Sequence, residues 1–310
     1  MKVFLAGGTG VVGTRALPAL VAAGHEVTAV ARGPEKAALV ERLGGTPVSV
    51  DLFDPPGLAT AVAGHEVVVD LATAIPPLAR SARKTAWALN DRLRREASRH
   101  LVDAALAAGA GRYVQESICF PYLDAGDRWI DEDSPVDHDS WGFGGAGEAE
   151  RQTARFTADS DGGAGVVLRF AQFYAAGSSH TITMSRALRY RLNPFVGDPD
   201  GYVSQIHAAD AGSAVAAALT APAGIYNIVD DEPLVRREAG PAAAAAMGLK
   251  PPRTLPGWVW KASPPTAKAV MRSLRISHDR FTAATGWTPT HPSIRTGWPA
   301  DPTTEGGGAS

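Results

Sequence analysis

Short apolar runs alternate with longer segments of helical periodicity through the first half of the chain. The first run precedes a glycine-rich turn and a helix that ends near Ala23, and a long Ala/Leu/Arg-rich helix is predicted over 81–108. The runs are apolar on both faces, which is typical of parallel strands covered by helices on each side. The pattern predicts strands over 3–6, 27–31, 47–50, 67–71, 112–116, 166–169 and 226–229.

This strand–helix alternation predicts an α/β fold, namely a Rossmann-type doubly wound parallel sheet with a smaller, mostly helical C-terminal region that caps the substrate site. We expect a dinucleotide-binding domain over 1–175, completed by a strand near 225–229. Residues 176–298 would then supply substrate-binding segments interleaved with that core, with irregular structure expected over 176–205 and 250–300. The Gly/Pro/Thr-rich residues 299–310 predict a disordered tail.

Composition narrows the function classes. The chain has 310 residues, 45% of them hydrophobic and 20% charged, with a formal net charge of −2, so it can bury a large core but offers no basic stripe for nucleic acid. The single Cys119 cannot form an internal disulfide, and no apolar run approaches the length of a membrane span. The chain begins without the pattern of a signal peptide, and we expect a cytoplasmic protein that binds neither nucleic acid nor membrane.

The most specific motif is Gly-Gly-Thr-Gly-Val-Val-Gly over 7–13, between the first strand and the first helix. Glycines at 7, 10 and 13 allow a tight turn, a close approach of a pyrophosphate to the backbone, and close packing of the helix on the strand. The first helix would hold the pyrophosphate at its N-terminus. The alternative is a structural turn without a ligand. The residues expected to contact the dinucleotide here are Gly7, Thr9, Gly10, Val11, Val12 and Gly13.

The residue after the second strand selects the cofactor. NAD-specific sites carry an acidic residue there for the ribose 2′-hydroxyl, whereas this chain has Arg32, whose guanidinium suits the 2′-phosphate of NADP. We therefore expect NADP rather than NAD, although Arg32 could also be a solvated surface residue. Asp51, just past the third strand, could accept a hydrogen bond from the adenine amino group or could cap a loop.

With these residues in view, the chain resembles the atypical members of the extended short-chain dehydrogenase/reductase family, the NAD(P)-dependent epimerase/dehydratase group. The resemblance implies that Asp51, Leu52, Ala72, Thr73 and Ala74 contact the cofactor, and that a homodimer is possible. It extends to about residue 298. It rests on the glycines at 7–13, Asp51, residues 71–73, Asn90, 166–170, Ile206, His207, Asp210, 225–227 and 286–289.

The chain departs from this family at its catalytic motif. The resemblance implies a Tyr-x-x-x-Lys pair on the helix after the fifth strand, in which the tyrosine transfers a proton and the lysine lowers its pKa. Residues 140–148 contain neither a tyrosine nor a lysine, and no lysine occurs between Lys84 and Lys250. The usual acid/base pair is absent.

Three residues are candidates to replace it. Ser117 follows the fifth strand, where the family keeps a catalytic Ser or Thr, and could bind a substrate oxygen. Tyr122 could donate a proton, or it could be packed under a loop with its hydroxyl bound to the backbone. His180 lies in a Gly-Ser-Ser-His-Thr stretch expected to be flexible, and could be a general acid or an inactive loop histidine. Cys119 is interpreted as inert core, and the acidic residues near 131–139 lack the spacing of a metal site.

Two clusters bear on the substrate, a natural-product intermediate or a sugar nucleotide. Arg186, Arg189 and Arg191 could bind a diphosphate or form the polar face of a helix. Tryptophans at 258, 260 and 287 suggest apolar walls.

The leading hypothesis is an NADP-dependent oxidoreductase that acts on a small molecule. The alternatives are a non-redox epimerase, dehydratase or cyclase that retains a bound nicotinamide cofactor, and a non-catalytic sensor of the NAD(P) redox state. The missing Tyr-x-x-x-Lys motif supports the sensor, whereas the long substrate segment argues against it.

Overall fold

A central parallel sheet organises the chain. The computed structural model describes residues 1–76, 80, 83–140, 142–254, 260 and 269–303. Within these residues seven parallel strands form one sheet in the order β3-β2-β1-β4-β5-β7-β11. The strands are β1 (Lys2–Ala6), β2 (Glu26–Val30), β3 (Thr46–Val48), β4 (Val67–Asp70), β5 (Arg112–Ile118), β7 (Ala164–Phe170) and β11 (Gly224–Ile228).

Helices cover both faces of this sheet, as the apolar character of its strands predicts. The doubly wound parallel sheet expected from the sequence is therefore confirmed. The helices are α1 (Gly13–Ala22), α2 (Pro34–Arg42), α3 (Pro55–Val62), α4 (Ala88–Arg92), α5 (Ser98–Ala107), α6 (Gly144–Asp159), α7 (Ser179–Arg189), α8 (Ala208–Ala217), α9 (Arg236–Ala246), α10 (Asp279–Thr285) and α11 (Ile294–Gly297).

The strand order reverses between β1 and β4. Within β1, Val3 lies opposite Val27 of β2 on one side and opposite Val67 of β4 on the other. In open α/β sheets, ligands bind outside the carboxyl ends of the strands at such a switch point. The loops that follow β1 and β4 therefore border the expected site.

Two apolar cores lie on the two faces of the sheet. One contains Leu5, Leu17 and Val215, so it lies between the sheet, α1 and α8. The other contains Phe4, Leu101 and Phe156, so it lies between the sheet, α5 and α6. In β1 and β4, alternate residues enter opposite cores, which is why these strands are continuous apolar runs in the sequence.

The long helix predicted over 81–108 is a composite of shorter helical segments. A 3₁₀ turn over Lys84–Trp87 leads into α4, a π-helical turn follows over Leu93–Ala97, and α5 completes the segment. Residues 81 and 82 lie outside the described residues. Single π-turns shift the helix register by one residue and recur at functional sites.

Residues after β7 form smaller elements and a third core. The described part includes the two-stranded pairs β8 (Gln172–Tyr174) with β10 (Gln205–His207), β9 (Tyr202–Val203) with β12 (Leu234–Val235), and β6 (Trp129–Ile130) with β13 (Arg275–Ile276). The third core contains Tyr174, Met184, Leu188, Phe195 and Trp298.

Two expectations for this region need adjustment. The irregular texture predicted over 176–205 is wrong for 179–189, because this stretch forms α7 with a buried face of Thr181, Met184, Ser185 and Leu188. In the tail predicted to be disordered, the carbonyl of Pro302 accepts a hydrogen bond from the Gly177 N–H. Residues 304–310 lie outside the described residues.

Among the described residues, we find no helix with the length and apolar character needed to cross a membrane.

Candidate functional site

The glycine motif forms the turn between β1 and α1. Gly7 has φ +80°, a conformation that side chains rarely adopt, and a Cβ on it would lie 2.7 Å from the Ala72 nitrogen of the loop after β4. A Cβ on Gly13 would lie 2.7 Å from the Gly8 carbonyl carbon, so Gly13 lets α1 pack directly on the turn. The first and third glycines thus have the roles predicted for them.

The middle of this turn is open to solvent. Gly10 is exposed, and Val11 has 44% of its surface accessible. The turn leads into α1, where the N–H groups of Thr14 and Arg15 donate to the carbonyls of Gly10 and Val12 at 3.0 Å each. An exposed, glycine-rich turn at a helix N-terminus fits a dinucleotide pyrophosphate. Thr9 and Val12 lie in the same turn, so all six residues predicted to contact the dinucleotide belong to this one turn and the start of α1.

A second turn, residues 71–74, faces the first across the switch point. The Asp70 carboxylate accepts a hydrogen bond from the Ala72 N–H at 2.9 Å, and the Asn90 side-chain oxygen accepts from the Ala74 N–H at 3.0 Å. Burial raises the pKa of Asp70 to about 7. Asn90 was singled out from the sequence only because of the family resemblance. In the structure its side chain holds the 71–74 turn in place, and Thr73 in that turn is exposed.

The residues expected at the adenosine end lie near the ends of β2 and β3. Arg32 is exposed two residues after β2. Asp51 is exposed and accepts a hydrogen bond from the Phe53 N–H at 3.0 Å, the loop-capping alternative of the sequence analysis. Leu52 is half-buried against the core between the sheet and α5. Among the described residues, Arg32 makes no hydrogen bond or ion pair.

The N-terminus of α6 lies beside the end of β5, and it is made of glycines. Phe143 and Gly147 have the four-residue spacing of the family's Tyr and Lys. A Cβ on Gly147 would lie 2.8 Å from Cγ of His138, so the imidazole occupies the space that a side chain at 147 would need. Nε2 of His138 lies 3.6 Å from the Glu150 carboxylate. Sequence reasoning missed His138, which precedes the helix in an acidic loop.

Ser117 is fully buried at the end of β5. Its hydroxyl donates to Oε1 of Glu150 at 2.6 Å, and Arg169 donates to both oxygens of Glu150 at 2.9 and 2.7 Å. Burial raises the pKa of Glu150, but the hydrogen bonds and charge of Arg169 outweigh it and hold that pKa below its usual range. The predicted substrate-binding hydroxyl is therefore engaged by a buried ion pair.

Tyr122 is also fully buried, as its alternative interpretation requires, but its hydroxyl binds side chains rather than backbone. The hydroxyl donates to the Asn227 side-chain oxygen at 2.8 Å and accepts from Arg169 at 2.9 Å. Burial raises the pKa of Tyr122. Beside it, the buried Cys119 thiol donates to the Arg169 carbonyl at 3.0 Å, and burial raises its pKa too.

His180 is the second residue of α7 and does not lie in a flexible loop, which corrects the expectation. Ser178 precedes the helix in an extended conformation, so the Gly/Ser-rich sequence is the start of a helix rather than a loop. Nε2 of His180 contacts the Gln172 side-chain amide, and Gln205 donates to Gln172 at 2.8 Å. Burial lowers the pKa of His180, so the imidazole is neutral near pH 7.

Sequence reasoning also missed a buried ion pair in the π-turn. Arg94 donates to both oxygens of Glu116 at 2.8 and 2.7 Å, and both side chains are almost fully buried. The Nε and Nη1 groups of Arg94 have no hydrogen-bond partner among the described residues. The predicted helix carries arginines at 92, 94, 95 and 99, and the sequence gives no signal that Arg94 points inward.

His207, Asp210 and His291 have side-chain atoms close enough to share a metal ion. However, Asp210 already accepts hydrogen bonds from Thr290 and His291, and the two imidazoles stack with centroids 3.8 Å apart. Nδ1 of His207 accepts from the Ala209 N–H at the start of α8. These bonds fit a structural role for His207 and Asp210.

The arginine cluster and the tryptophan cluster that were considered for the substrate have different environments. Arg186, Arg189 and Arg191 are exposed on and just after α7, as the polar-face alternative describes. Trp287 is buried and its ring nitrogen donates to Ser213 at 2.9 Å, so it is a core residue rather than a pocket wall. Trp258 lies outside the described residues.

Known proteins resemble the chain at two levels. The model of a family described as NAD(P)H-binding matches residues 7–188. A Streptomyces protein named 3-diazoavenalumate denitrifying reductase is 37% identical over 312 residues, covering 96% of this chain and 99% of that protein.

Solved structures share the fold. A human epimerase family protein, solved with NADPH, superposes with a TM-score of 0.74 at 24% identity, covering 96% of this chain and 97% of that one. UDP-glucose 4-epimerase from Stenotrophomonas maltophila, solved with NAD, gives 0.75 at 18% identity, covering 96% and 95%.

The glycine turn and the clamped second turn lie together at the switch point of the sheet. Because the family model covers more than half of the chain and the reductase almost all of it, this chain belongs to the NAD(P)H-binding family, and it shares the fold of the epimerase structures.

Proposed function

We propose that the chain is an NADPH-dependent reductase that replaces the diazo group of a small organic acid with hydrogen and releases dinitrogen. The observation that carries this proposal is the near-complete match, 37% identical, to a reductase named for 3-diazoavenalumate. Matches over nearly all of both chains include the cofactor turn and the substrate-side segments together. The epimerase structures, at 24% identity or less, support the fold alone.

The chemistry of this reaction accounts for the missing catalytic pair. Hydride addition to a carbonyl forms an alkoxide, which needs a proton donor such as the family's tyrosine. A diazonium group instead departs as neutral N₂ and takes the electron pair of its C–N bond, while the hydride supplies the electron pair of the new C–H bond. The balance is R–N₂⁺ + NADPH → R–H + N₂ + NADP⁺. Where a ring hydroxyl beside the diazo group is ionised, the product phenolate takes its proton from water. The transfer needs no proton from a side chain, so Phe143 and Gly147 are compatible with turnover.

A bound NADPH supplies the hydride for this reaction. In our proposal the backbone of the turn over 7–13 binds its pyrophosphate, Arg32 binds its 2′-phosphate, and the 71–74 turn supports the nicotinamide end. Asp70 and Asn90 hold that second turn in place. Asp51 and Leu52 border the adenine.

The three candidate catalytic residues take supporting roles. Ser117 and Tyr122 fix the end of β5 through Glu150 and Arg169, because neither hydroxyl is exposed. His180, neutral and held against Gln172, lines the substrate side as a hydrogen-bonding group. These positions leave hydride transfer to depend on orientation rather than on a proton donor.

We also propose that segments within 176–298, interleaved with the sheet domain, form the substrate-capping region, with the domain boundary at 175. The support is the separate apolar core of Met184, Leu188, Leu234 and Trp298, which shares no residue with the two cores of the sheet. A separately packed region at the carboxyl edge can close over a small ligand.

The direct test uses NADPH with 3-diazo-4-hydroxycinnamate, a stable ortho-hydroxyaryl diazonium compound, as the probe. We expect NADPH consumption, N₂ release and 4-hydroxycinnamate formation in a 1:1:1 ratio, measured by absorbance at the NADPH band and by mass spectrometry. The matched control is 4-hydroxycinnamaldehyde, a carbonyl compound of the same skeleton, which we expect to remain unreduced.

The alternative functions give different results. NADPH binding without consumption of NADPH or of either probe would contradict the reductase and favour a sensor of the cofactor's redox state. Conversion of a substrate without consumption of NADPH would favour the non-redox enzyme. Reduction of the aldehyde alone would place the chain among carbonyl reductases.

A further inference from the structure

The first turns of α6 lack side chains where they meet their neighbours. A Cβ on Gly144 would lie 2.6 Å from the Arg95 guanidinium, and one on Gly145 would lie 2.8 Å from the Asp91 carboxylate. On Gly147 the obstructing group is the His138 imidazole, whose Cβ and Nδ1 would both lie 3.1 Å from the added atom. The histidine therefore fills a volume that the helix itself leaves empty.

A network of hydrogen bonds fixes the loop that carries His138. Arg272 donates to the Asp137 carboxylate at 2.8 Å and to the carbonyls of Pro121 and Tyr122 at 3.2 Å each. The Ser140 hydroxyl also donates to the Asp137 carboxylate, which holds the pKa of Asp137 at about 2, well below its ordinary value. Asp137 thus stays ionised, and its neighbour His138 stays in place over the helix.

This part of α6 lies at the carboxyl edge of the sheet. Ser117, the penultimate residue of β5, donates a hydrogen bond to the carboxylate of Glu150. Glu150 lies about one helical turn after Gly147 in α6. Since the glycine turn after β1 also lies at the carboxyl ends of the parallel strands, both features border the same ligand-binding edge.

Several elements contribute charged side chains to the surroundings of His138. Glu150 and Arg151 face it from α6, Arg169 from β7, and Asp137 from its own loop. Arg95, from the helical segment before α5, and the His138 carbonyl both lie within 4 Å of a Cβ added to Gly144. The arginines are paired with carboxylates: Arg169 with Glu150, Arg151 with Glu148, and Arg95 with Asp91.

His138 itself is uncharged in neutral solution. Burial lowers its pKa, the nearby arginines lower it further, and Glu150 and Asp137 oppose them without restoring the ordinary value. Its Nδ1 is buried and has no hydrogen-bond partner among the described residues. A histidine with an unpartnered ring nitrogen is better accommodated without a charge.

We infer that His138 and Gly147 form a charge-selective element of the substrate site, in which an uncharged imidazole replaces a cationic side chain and so favours a cationic reacting group. This inference rests on the proposed function, because the C–N₂ group of a diazo substrate carries positive charge even when the hydroxyl beside it is ionised. A lysine at 147 would place an ammonium at the reacting edge. At an effective dielectric constant of about 20, an isolated like charge about 6 Å away weakens binding by roughly 100-fold, and an ionised hydroxyl beside the diazo group reduces this effect.

Protonation of His138 would have the same effect as a lysine. As the pH falls through its pKa, which lies below 6.5, the imidazole gains a positive charge and repels the diazonium group. The value of kcat/KM for the diazo probe is therefore expected to fall on the acidic side, with KM rising more than kcat falls.

The test compares two double variants, since a side chain at 147 needs the space of His138. His138→Ala with Gly147→Lys introduces a cation, and His138→Ala with Gly147→Met introduces an uncharged chain of similar length. We expect the lysine variant to have a kcat/KM for 3-diazo-4-hydroxycinnamate at least tenfold below that of the methionine variant. Both variants should bind NADPH within threefold of each other and unfold at similar temperatures.

The single variant His138→Gln adds a pH profile that packing alone would not change. It should remove the acidic fall in kcat/KM that the wild type shows. Equal kcat/KM in the lysine and methionine variants, or an unchanged acidic fall in His138→Gln, would overturn the charge-selective element while the wild type still reduced the probe. A wild type that binds NADPH but leaves the diazo probe intact would overturn the proposed function and this inference with it.

Discussion

At the scale of single residues, Glu150 connects most of the groups at the end of β5. It accepts hydrogen bonds from Ser117 and Arg169, and Arg169 in turn donates to the Tyr122 hydroxyl. Its own side chain is 9% exposed, so these bonds replace nearly all of its contact with water. A buried ion pair of this kind tolerates loss of one partner poorly, because the other is left buried and unpaired.

We expect Glu150→Gln to lower the free energy of unfolding at pH 7 by about 3 kcal/mol, because Arg169 would be left without a counter-charge. The pKa of Glu150 is lower in the folded chain than the ordinary 4.5, so its carboxylate stabilises the fold above that pH. This contribution is lost as pH falls through the folded-state pKa. Urea unfolding at pH 7 and at pH 3.5 should therefore show a smaller difference between wild type and variant at the lower pH.

Glu148 provides the matched control on the same helix. It pairs with Arg151, whose side chain is 65% exposed, so Glu148→Gln should change the free energy of unfolding by at most about 0.5 kcal/mol. Equal losses in the two variants would show that the buried network does not stabilise the end of β5.

Sequence reasoning identified Ser117 and Tyr122 because they follow a strand, but it could not identify their partners. Glu150 is 33 residues along the chain from Ser117, and Arg169 is 47 residues from Tyr122. The pairing of β5 with β7 and the packing of α6 against both strands bring these residues together. His138 was missed for a similar reason: a loop histidine has no periodic signal, and the glycine that it covers lies nine residues later in a helix.

At the scale of elements, local patterns predicted some helices and missed others. The segment before β5 was predicted because its apolar positions repeat at helical spacing, but no spacing signals the π-turn over Leu93–Ala97. In contrast, α7 was read as irregular because two of its four buried positions, Thr181 and Ser185, are polar. Tertiary packing supplies the burial that the sequence pattern does not display.

The turn between β1 and α1 allows a sharp test at this scale. We expect Gly13→Ala to weaken NADPH binding at least tenfold and to lower the free energy of unfolding by about 1–3 kcal/mol, because its Cβ would collide with the backbone of Gly8 and push α1 away. Gly111→Ala is the control, since nothing lies within 4 Å of its added Cβ. Fluorescence titration and thermal unfolding measure the two effects, and unaltered NADPH binding in Gly13→Ala would contradict the assigned role of the turn.

At the scale of the whole molecule, the sheet was predictable because its strands are apolar on both faces and its connections are helical. That pattern leads to the strand order reversal between β1 and β4, and hence to the place of the cofactor. The substrate region was less predictable, because its pairs β8–β10, β9–β12 and β6–β13 join segments up to about 150 residues apart through strands of two or three residues.

The preference for NADPH or NADH can be measured as the change that each nucleotide causes in the stability of the whole fold. A ligand that binds only the folded chain raises its stability by RT ln(1 + [L]/Kd), or about 2.7 kcal/mol at a concentration 100 times Kd. Arg32 is exposed where β2 ends, and its guanidinium would gain the 2′-phosphate of NADPH as a partner but nothing from NADH. At equal concentrations, we therefore expect NADPH to raise the unfolding temperature of the wild type more than NADH does.

Arg32→Ala should reduce the shift caused by NADPH to that caused by NADH and leave the NADH shift unchanged. Arg42→Ala, which removes an exposed arginine from the last turn of α2, should keep the wild-type difference, since it changes the net charge equally. Equal shifts for the two nucleotides in the wild type would contradict the NADPH preference while leaving the dinucleotide site in place. If neither nucleotide raised the unfolding temperature, the glycine turn would have to serve another ligand, because a dinucleotide bound there must stabilise the sheet and helix that hold it.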